Sequence, residues 1–198
     1  MSEKPRASYT RLAPDDRRAA LIQAALLCIA EGGIAAFTVD QICTRAGVSR
    51  GLVIHHFGSM DALLTAAYAH LYQTSLPVPG DLPQGPTRIL ALQDSFFTPS
   101  AFNRKSLNIW LTFWAEISNH PELRVAHRLQ YPVLNRMVAD ALCQADPDLV
   151  AAEDLARTLI CLIDGLSLQH CIDPDSMPAE LARQTCMDLL VKTIPTLG

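Results

Sequence analysis

Thr38-Val-Asp-Gln-Ile-Cys-Thr-Arg-Ala-Gly-Val-Ser-Arg-Gly-Leu-Val-Ile-His-His-Phe57 is the stretch that decides the fold. Thr38 stands just ahead of Val39, Asp40 and Gln41, a pattern in which the threonine hydroxyl caps a helix and a glutamine three residues on reaches back to it. The helix so begun stops at Ala46-Gly47, because glycine takes the positive φ that a sharp turn demands. Ser49 then caps a second short helix that runs to about His56. Ile42 and Val48 are spaced to pack the two helices together, with the small Ala46 where they approach. Two short helices joined in this way form a helix-turn-helix, whose second helix fits a major groove about 12 Å wide. The same αα-hairpin also occurs in helical proteins that bind no DNA, so the bare pattern leaves both readings open.

Outward from this segment the punctuation stays helical. Upstream, Pro14 and Asp15 open a run in which Leu21, Ile22, Ala25, Leu26 and Ile29 recur at helical spacing, closed by Gly32-Gly33. Downstream, Ser59 and Asp61 begin a fourth helix ending near Ser75. Residues 77–86 hold four prolines and two glycines and read as a hinge between two bodies. Beyond it, helices are predicted at about 86–97, 100–118, 121–144, 152–172 and 178–193. The expected fold is all-α with about nine helices. It comprises a basic arm over 1–14, a DNA-binding domain over 15–75 built on a three-helix unit with the helix-turn-helix at 38–57, and a larger C-terminal helical domain over 76–198 for ligand binding and dimerisation.

Composition is that of an ordinary globular chain: 198 residues, 49% apolar and 18% charged. The formal net charge of −4 advertises no nucleic-acid partner, but it is an average. Residues 1–75 carry 7 Lys/Arg against 6 Asp/Glu, and the remainder carries 9 against 14. No segment reads as a run of roughly 20 apolar residues suited to a membrane span, and the polar, basic N-terminus lacks the apolar core of a secretory signal. The cytoplasm is therefore the expected location. Six cysteines, Cys28, Cys43, Cys143, Cys161, Cys171 and Cys186, sit singly among apolar neighbours without zinc-site spacing, so most are expected to be buried and reduced. No metal or cofactor is expected.

The residues expected to meet DNA are Thr38, Ser49, Arg50, Gly51, Leu52, His55 and His56. Ser49 lies beside helix N-terminal N–H groups that can hold a phosphate. Arg50 can give two hydrogen bonds to a guanine edge or one to a phosphate. The segment resembles the DNA-binding domain of the TetR family of bacterial regulators, on the strength of Gly33, Thr38, Ala46-Gly47-Val48-Ser49, Gly51, His55-His56-Phe57 and Leu63-Leu64. The resemblance implies a dimer that reads double-stranded, palindromic operator DNA. Two positions depart from the family pattern: His56 stands where tyrosine is usual and Met60 where lysine is common, both phosphate contacts. Lys4, Arg6, Arg11, Arg17 and Arg18 are candidates to compensate from the arm.

In the second domain, Trp110, Phe113, Trp114 and Ile117 fall on one helical stripe. Such a stripe serves either as core or, with Glu116 nearby, as a cage for a cation that cannot hydrogen-bond. Tyr131 and Asp164 are further candidates, since an acid in the apolar helix Leu162-Ile163-Asp164-Gly165-Leu166 needs a partner, across an interface or in a ligand. Leu82-Pro83-Gln84-Gly85, the Trp110–Trp114 tract, His120-Pro121, Tyr131 and Leu162–Leu166 resemble the BetI-type repressors of glycine betaine synthesis. That resemblance implies choline as inducer, with a different small apolar or amine ligand as the alternative. Leu155, Leu159, Leu162, Ile163, Leu166 and Leu190, with Ile172, Leu181, Met187 and Val191 on the same apolar faces, are the expected dimer interface, in a four-helix arrangement that the family implies. An enzyme built on Cys161, Asp164 and His170 is the competing class, and no nucleophile motif or phosphate loop supports it.

Overall fold

The computed structural model describes residues 14–198, and over them the chain forms nine α-helices with no strand. The three arm residues Lys4, Arg6 and Arg11 lie outside the described residues. The N-terminal helices are α1 (Pro14–Gly32), α2 (Val39–Ala46), α3 (Arg50–Phe57) and α4 (Met60–Ser75). They are followed by α5 (Thr87–Ser95), α6 (Arg104–Ile117), α7 (Pro121–Ala145), α8 (Ala152–Ile172) and α9 (Ala179–Thr193).

Local chemistry sets the ends of α2, α3 and α4. The Thr38 hydroxyl accepts from the Gln41 N–H at 3.3 Å and the Ser59 hydroxyl accepts from the Ala62 N–H at 3.0 Å, each offsetting one of the unpaired donors of a helix start. Gly47 sits at φ +65 and Gly58 at φ +76, so the turns on either side of α3 both use the left-handed backbone that glycine tolerates. Ser49 differs from expectation: it occupies the N-cap of α3, but its hydroxyl makes no capping bond and faces solvent. Helix α6 begins at Arg104 rather than 100, because the Asn103 side chain accepts from the N–H groups of Lys105 and Ser106.

The core is continuous from end to end. Leu21, Ile22, Ala25 and Ile29 of α1 bury against α2 and α4 and also against α6, while α4 packs on α7. Two helical stretches, Asp16–Ala36 and Ala152–Ile172, are long and apolar enough to cross a bilayer by length and composition, which the sequence reading had excluded. Their apolar stripes, Leu21–Ile29 and Leu159, Ile160, Ile163 and Leu166, line this core instead.

The proline-rich segment is strapped down rather than a free hinge. Buried Arg88 of α5 donates to the carbonyls of Pro79 (3.0 Å) and Pro83 (3.2 Å), and the Gly85 N–H donates to Gln144 Oε1 of α7 at 3.0 Å. Of the cysteines, only Cys28, Cys43 and Cys186 are buried; Cys143 and Cys161 are exposed and Cys171 lies between.

Candidate DNA interface and ligand cavity

Helix α3 buries Val53 and turns Arg50, Gly51, Ile54 and His55 to solvent, with Leu52 and His56 half-buried. Exposed Thr38 and Ser49 stand at the starts of α2 and α3, so the seven expected DNA-contact residues share the helix-turn-helix surface. Ile54, 58% exposed, was missed by sequence reasoning, which had no signal to separate it from buried Val53. An exposed isoleucine on this helix offers apolar contact to a thymine methyl. Arg18 lies with its guanidinium carbon 4.9 Å from the Phe57 ring centroid, so it braces α1 on the end of α3. Arg50 forms a two-point ion pair with Asp40 of α2.

The second region is a cavity of about 530 Å³ walled by α4, the α5–α6 connection, α6, α7 and α8, within the range typical of small-molecule sites. Trp110 and Trp114, one helical turn apart on α6, stack with ring centroids 6.1 Å apart and line it. Tyr131 of α7 and Asp164 of α8 line it too. Two of the expected ligand residues do not. Phe113 is fully buried behind the wall, its ring edge-on to Tyr68 at 5.1 Å, because its place on the stripe faces α4. Glu116 points to the α6–α7 corner, 3.3 Å from His120 Nδ1.

Tyr72 and His127 line the cavity as well and escaped the sequence reading. Tyr72 meets Trp110 edge-on at 5.0 Å, and His127 lies one turn before Tyr131 with the rings 5.3 Å apart. The four-residue spacing of His127 and Tyr131 was the available signal. Tyr68 sits behind them, its hydroxyl 2.7 Å from His127 Nδ1.

Burial dominates the electrostatics. It pushes the Asp164 carboxyl up to about 7, and among the described residues no lysine or arginine pairs with it. Burial also raises the Tyr72 phenol and lifts Tyr131 to about 12, with the Asp164 charge contributing to both. It lowers His127, which is therefore neutral at pH 7 and adds no competing positive charge. Serine and threonine hydroxyls of the α5–α6 wall, among them Thr98, Ser100 and Ser106, supply hydrogen-bonding groups. The cavity thus offers π faces, one acid without a partner and a few hydroxyls. His170 is elsewhere, its Nδ1 2.8 Å from the Met177 carbonyl, so Cys161, Asp164 and His170 do not assemble a catalytic group.

Four of the expected dimer residues lie in the core of one protomer. Leu159, Ile163, Leu166 and Leu190 are buried inside the protomer, and Leu155 and Leu162 are half-buried against the same core. The stripe of strongest hydrophobicity on α8 serves its own subunit. The exposed residues of α8 and α9 include Ile172 and Leu181 of the expected faces, together with Cys161, Gly165 and Leu168.

Residues 21–67 match the family model for bacterial regulatory proteins of the tetR family, and residues 86–195 match that for the C-terminal region of BetI-type transcriptional repressors. Among curated proteins, the HTH-type transcriptional regulator BetI 1 of Chromohalobacter salexigens is 33% identical over 183 residues, covering 87% of each chain. The BetI regulator of Stenotrophomonas maltophilia is 35% identical over 178 residues, covering 85% of this chain and 88% of its own. Among solved structures, a transcriptional regulator from Pseudomonas aeruginosa PAO1 superposes with a TM-score of 0.79 at 27% identity, covering 96% and 95% of the two chains. A regulator from Saccharomonospora viridis, solved in complex with choline, gives 0.76 at 21% identity over 90% and 96%.

Proposed function

The chain belongs to the TetR family of bacterial transcriptional regulators, with a BetI-type C-terminal region, and from that premise we propose that it is a dimeric repressor released from a palindromic operator by a small quaternary amine, choline first among them. Control of glycine betaine synthesis genes is the corresponding role. The observation that carries the ligand class is Asp164, a half-buried acid lacking a cationic partner among the described residues, on a wall shared with Tyr72, Trp110, Trp114 and Tyr131. Aromatic faces attract a desolvated ammonium by about 0.5–2 kcal/mol each, and the carboxylate supplies the countercharge. The BetI names of the relatives and the choline in the S. viridis structure favour the same ligand.

Charge recognition is tested by titrating tryptophan fluorescence with choline and with its neutral carbon isostere, 3,3-dimethylbutan-1-ol. Choline is expected to bind at least tenfold more tightly; equal binding would sink the cation reading and leave an apolar-ligand regulator.

Two helices join this cavity to the DNA-reading surface. Helix α4 carries Tyr68 and Tyr72 and packs on α1 and α3, so a ligand that shifts these rings shifts the helix that holds α3. Helix α6 carries Trp110 and Trp114, and its Asn108 donates to the carbonyls of Ile29 (3.1 Å) and Ala30 (3.2 Å) near the end of α1. Tyr68→Phe removes the bond to His127 without opening a cavity. It is expected to leave choline affinity within about threefold and to cut the choline effect on operator affinity severalfold. Paired ligand and operator titrations check this, and an unaltered choline effect would mean the bond transmits nothing.

The dimer is proposed to form through the exposed faces of α8 and α9, around Gly165, Leu168, Ile172 and Leu181, where Gly165 leaves open space for a second helix. Sedimentation equilibrium returning the mass of one chain at micromolar concentration would contradict it.

A further inference from the structure

Arg50 and Asp40 face each other at the mouth of the helix-turn-helix, Arg50 first in α3 and Asp40 in the first turn of α2. Arg50 Nε lies 2.5 Å from Asp40 Oδ1, and Arg50 Nη2 donates to Asp40 Oδ2 at 2.6 Å. The carboxylate therefore occupies the side edge of the guanidinium. The end edge, Nη1 with the second hydrogen of Nη2, keeps its forked pair of donors, and that fork matches O6 and N7 of guanine in the major groove.

We infer that Asp40 is a positioning residue that holds Arg50 end-on, so that Arg50 reads a guanine in each operator half-site rather than gripping a phosphate. The inference rests on the chain being a DNA-binding regulator. Both side chains are exposed, 71% for Arg50 and 59% for Asp40, so their pairing adds little to folding stability and its effect lies in orientation. An acid on a surface that approaches phosphates repels them unless neutralised, and Arg50 neutralises this one. A flexible arginine stem fixed at two points also loses less freedom when it meets a base.

Full-length wild type, Asp40→Asn, Asp40→Ala and Arg50→Ala are each used to select from a pool of random-sequence duplexes. Each is then titrated against the wild-type consensus and against copies with the fixed guanine changed to adenine or 7-deazaguanine. Thermal melts confirm that every variant is folded. Wild type is expected to fix one guanine per half-site and to discriminate against its replacement on the order of tenfold or more, the scale of a two-point base contact. Arg50→Ala loses that discrimination, and both Asp40 variants lose most of it while binding the substituted duplexes about as well as wild type does. Asp40 variants that keep full discrimination and bind all duplexes more tightly would overturn the inference, since the pair would then only mask Arg50. So would an Arg50→Ala variant that weakens all duplexes alike and flattens the salt dependence, the mark of a phosphate contact. A wild-type pool with no consensus would remove the regulator reading itself and this inference with it.

Discussion

Asp164→Asn is expected to abolish the choline response of operator binding while raising the stability of the free protein above neutral pH. Burial lifts the Asp164 carboxyl to about 7, yet a bound cation needs it ionised. Below pH 7 a proton must therefore leave as the cation enters, so wild-type choline affinity is expected to fall about tenfold per pH unit there and to level off above about pH 8. The asparagine variant is expected to bind weakly with no such slope. Stability runs in the opposite sense. The folded carboxyl holds its proton more tightly than an unfolded one of pKa about 3.9, so the folded state binds more protons between about pH 4 and 7. Stability attributable to this group falls as pH rises through that window and stays low above it. Removing the charge should raise Tm by several degrees at pH 8, at about 2–4 °C per kcal/mol for a chain of this size, with no difference below pH 4. Calorimetric titrations and thermal melts at pH 5, 6, 7 and 8 measure both effects. A flat choline affinity across that range would remove Asp164 from the site.

Phe113→Ala and Trp114→Ala, neighbours on one helix, are expected to fail in different ways. Phe113 is fully buried between α6 and α4 against Tyr68, and its truncation leaves a void in a continuous core. The cost of such changes is about 3–5 kcal/mol, a large share of the roughly 5–15 kcal/mol that holds a domain folded. Urea unfolding is expected to show a much earlier midpoint, with operator affinity lost through unfolding. Trp114 is half-buried on the cavity wall, so Trp114→Ala is expected to fold and bind operator but lose at least tenfold in choline affinity. Should Phe113→Ala fold normally and lose only ligand, the two residues would have to exchange roles.

The contrast between those neighbours marks how far sequence could reach. The α2–α3 turn was legible because its causes are local: the Thr38 cap, Gly47 at positive φ, and Ile42 and Val48 packing the two helices together. The stripe Trp110–Phe113–Trp114 was legible as a stripe. Which of its members faces a cavity depends on where α4 and α8 lie, and periodicity within α6 carries no such information. Tyr68 and Tyr72 were read only as part of the DNA-binding unit, although α4 runs on to form a wall of the cavity. On α8 the same blindness grouped Leu159, Ile163 and Leu166, whose apolar face packs inward, with the outward Ile172, and passed over Gly165 and Leu168 beside it. A helix apolar on two sides does not declare which side meets its own core.

The opposing charges of the chain fit this arrangement. The near-neutral first 75 residues carry the reading helix, and the acidic excess lies in the remainder with the cavity. The most direct test of a cation-responsive regulator is fluorescence anisotropy of a labelled operator duplex, titrated with the full-length protein at pH 8 and fixed ionic strength, with and without saturating choline. Operator affinity is expected to fall about 5- to 150-fold with choline, corresponding to a coupling of about 1–3 kcal/mol, and to be unmoved by the same concentration of 3,3-dimethylbutan-1-ol. An operator affinity that choline leaves unchanged would contradict it.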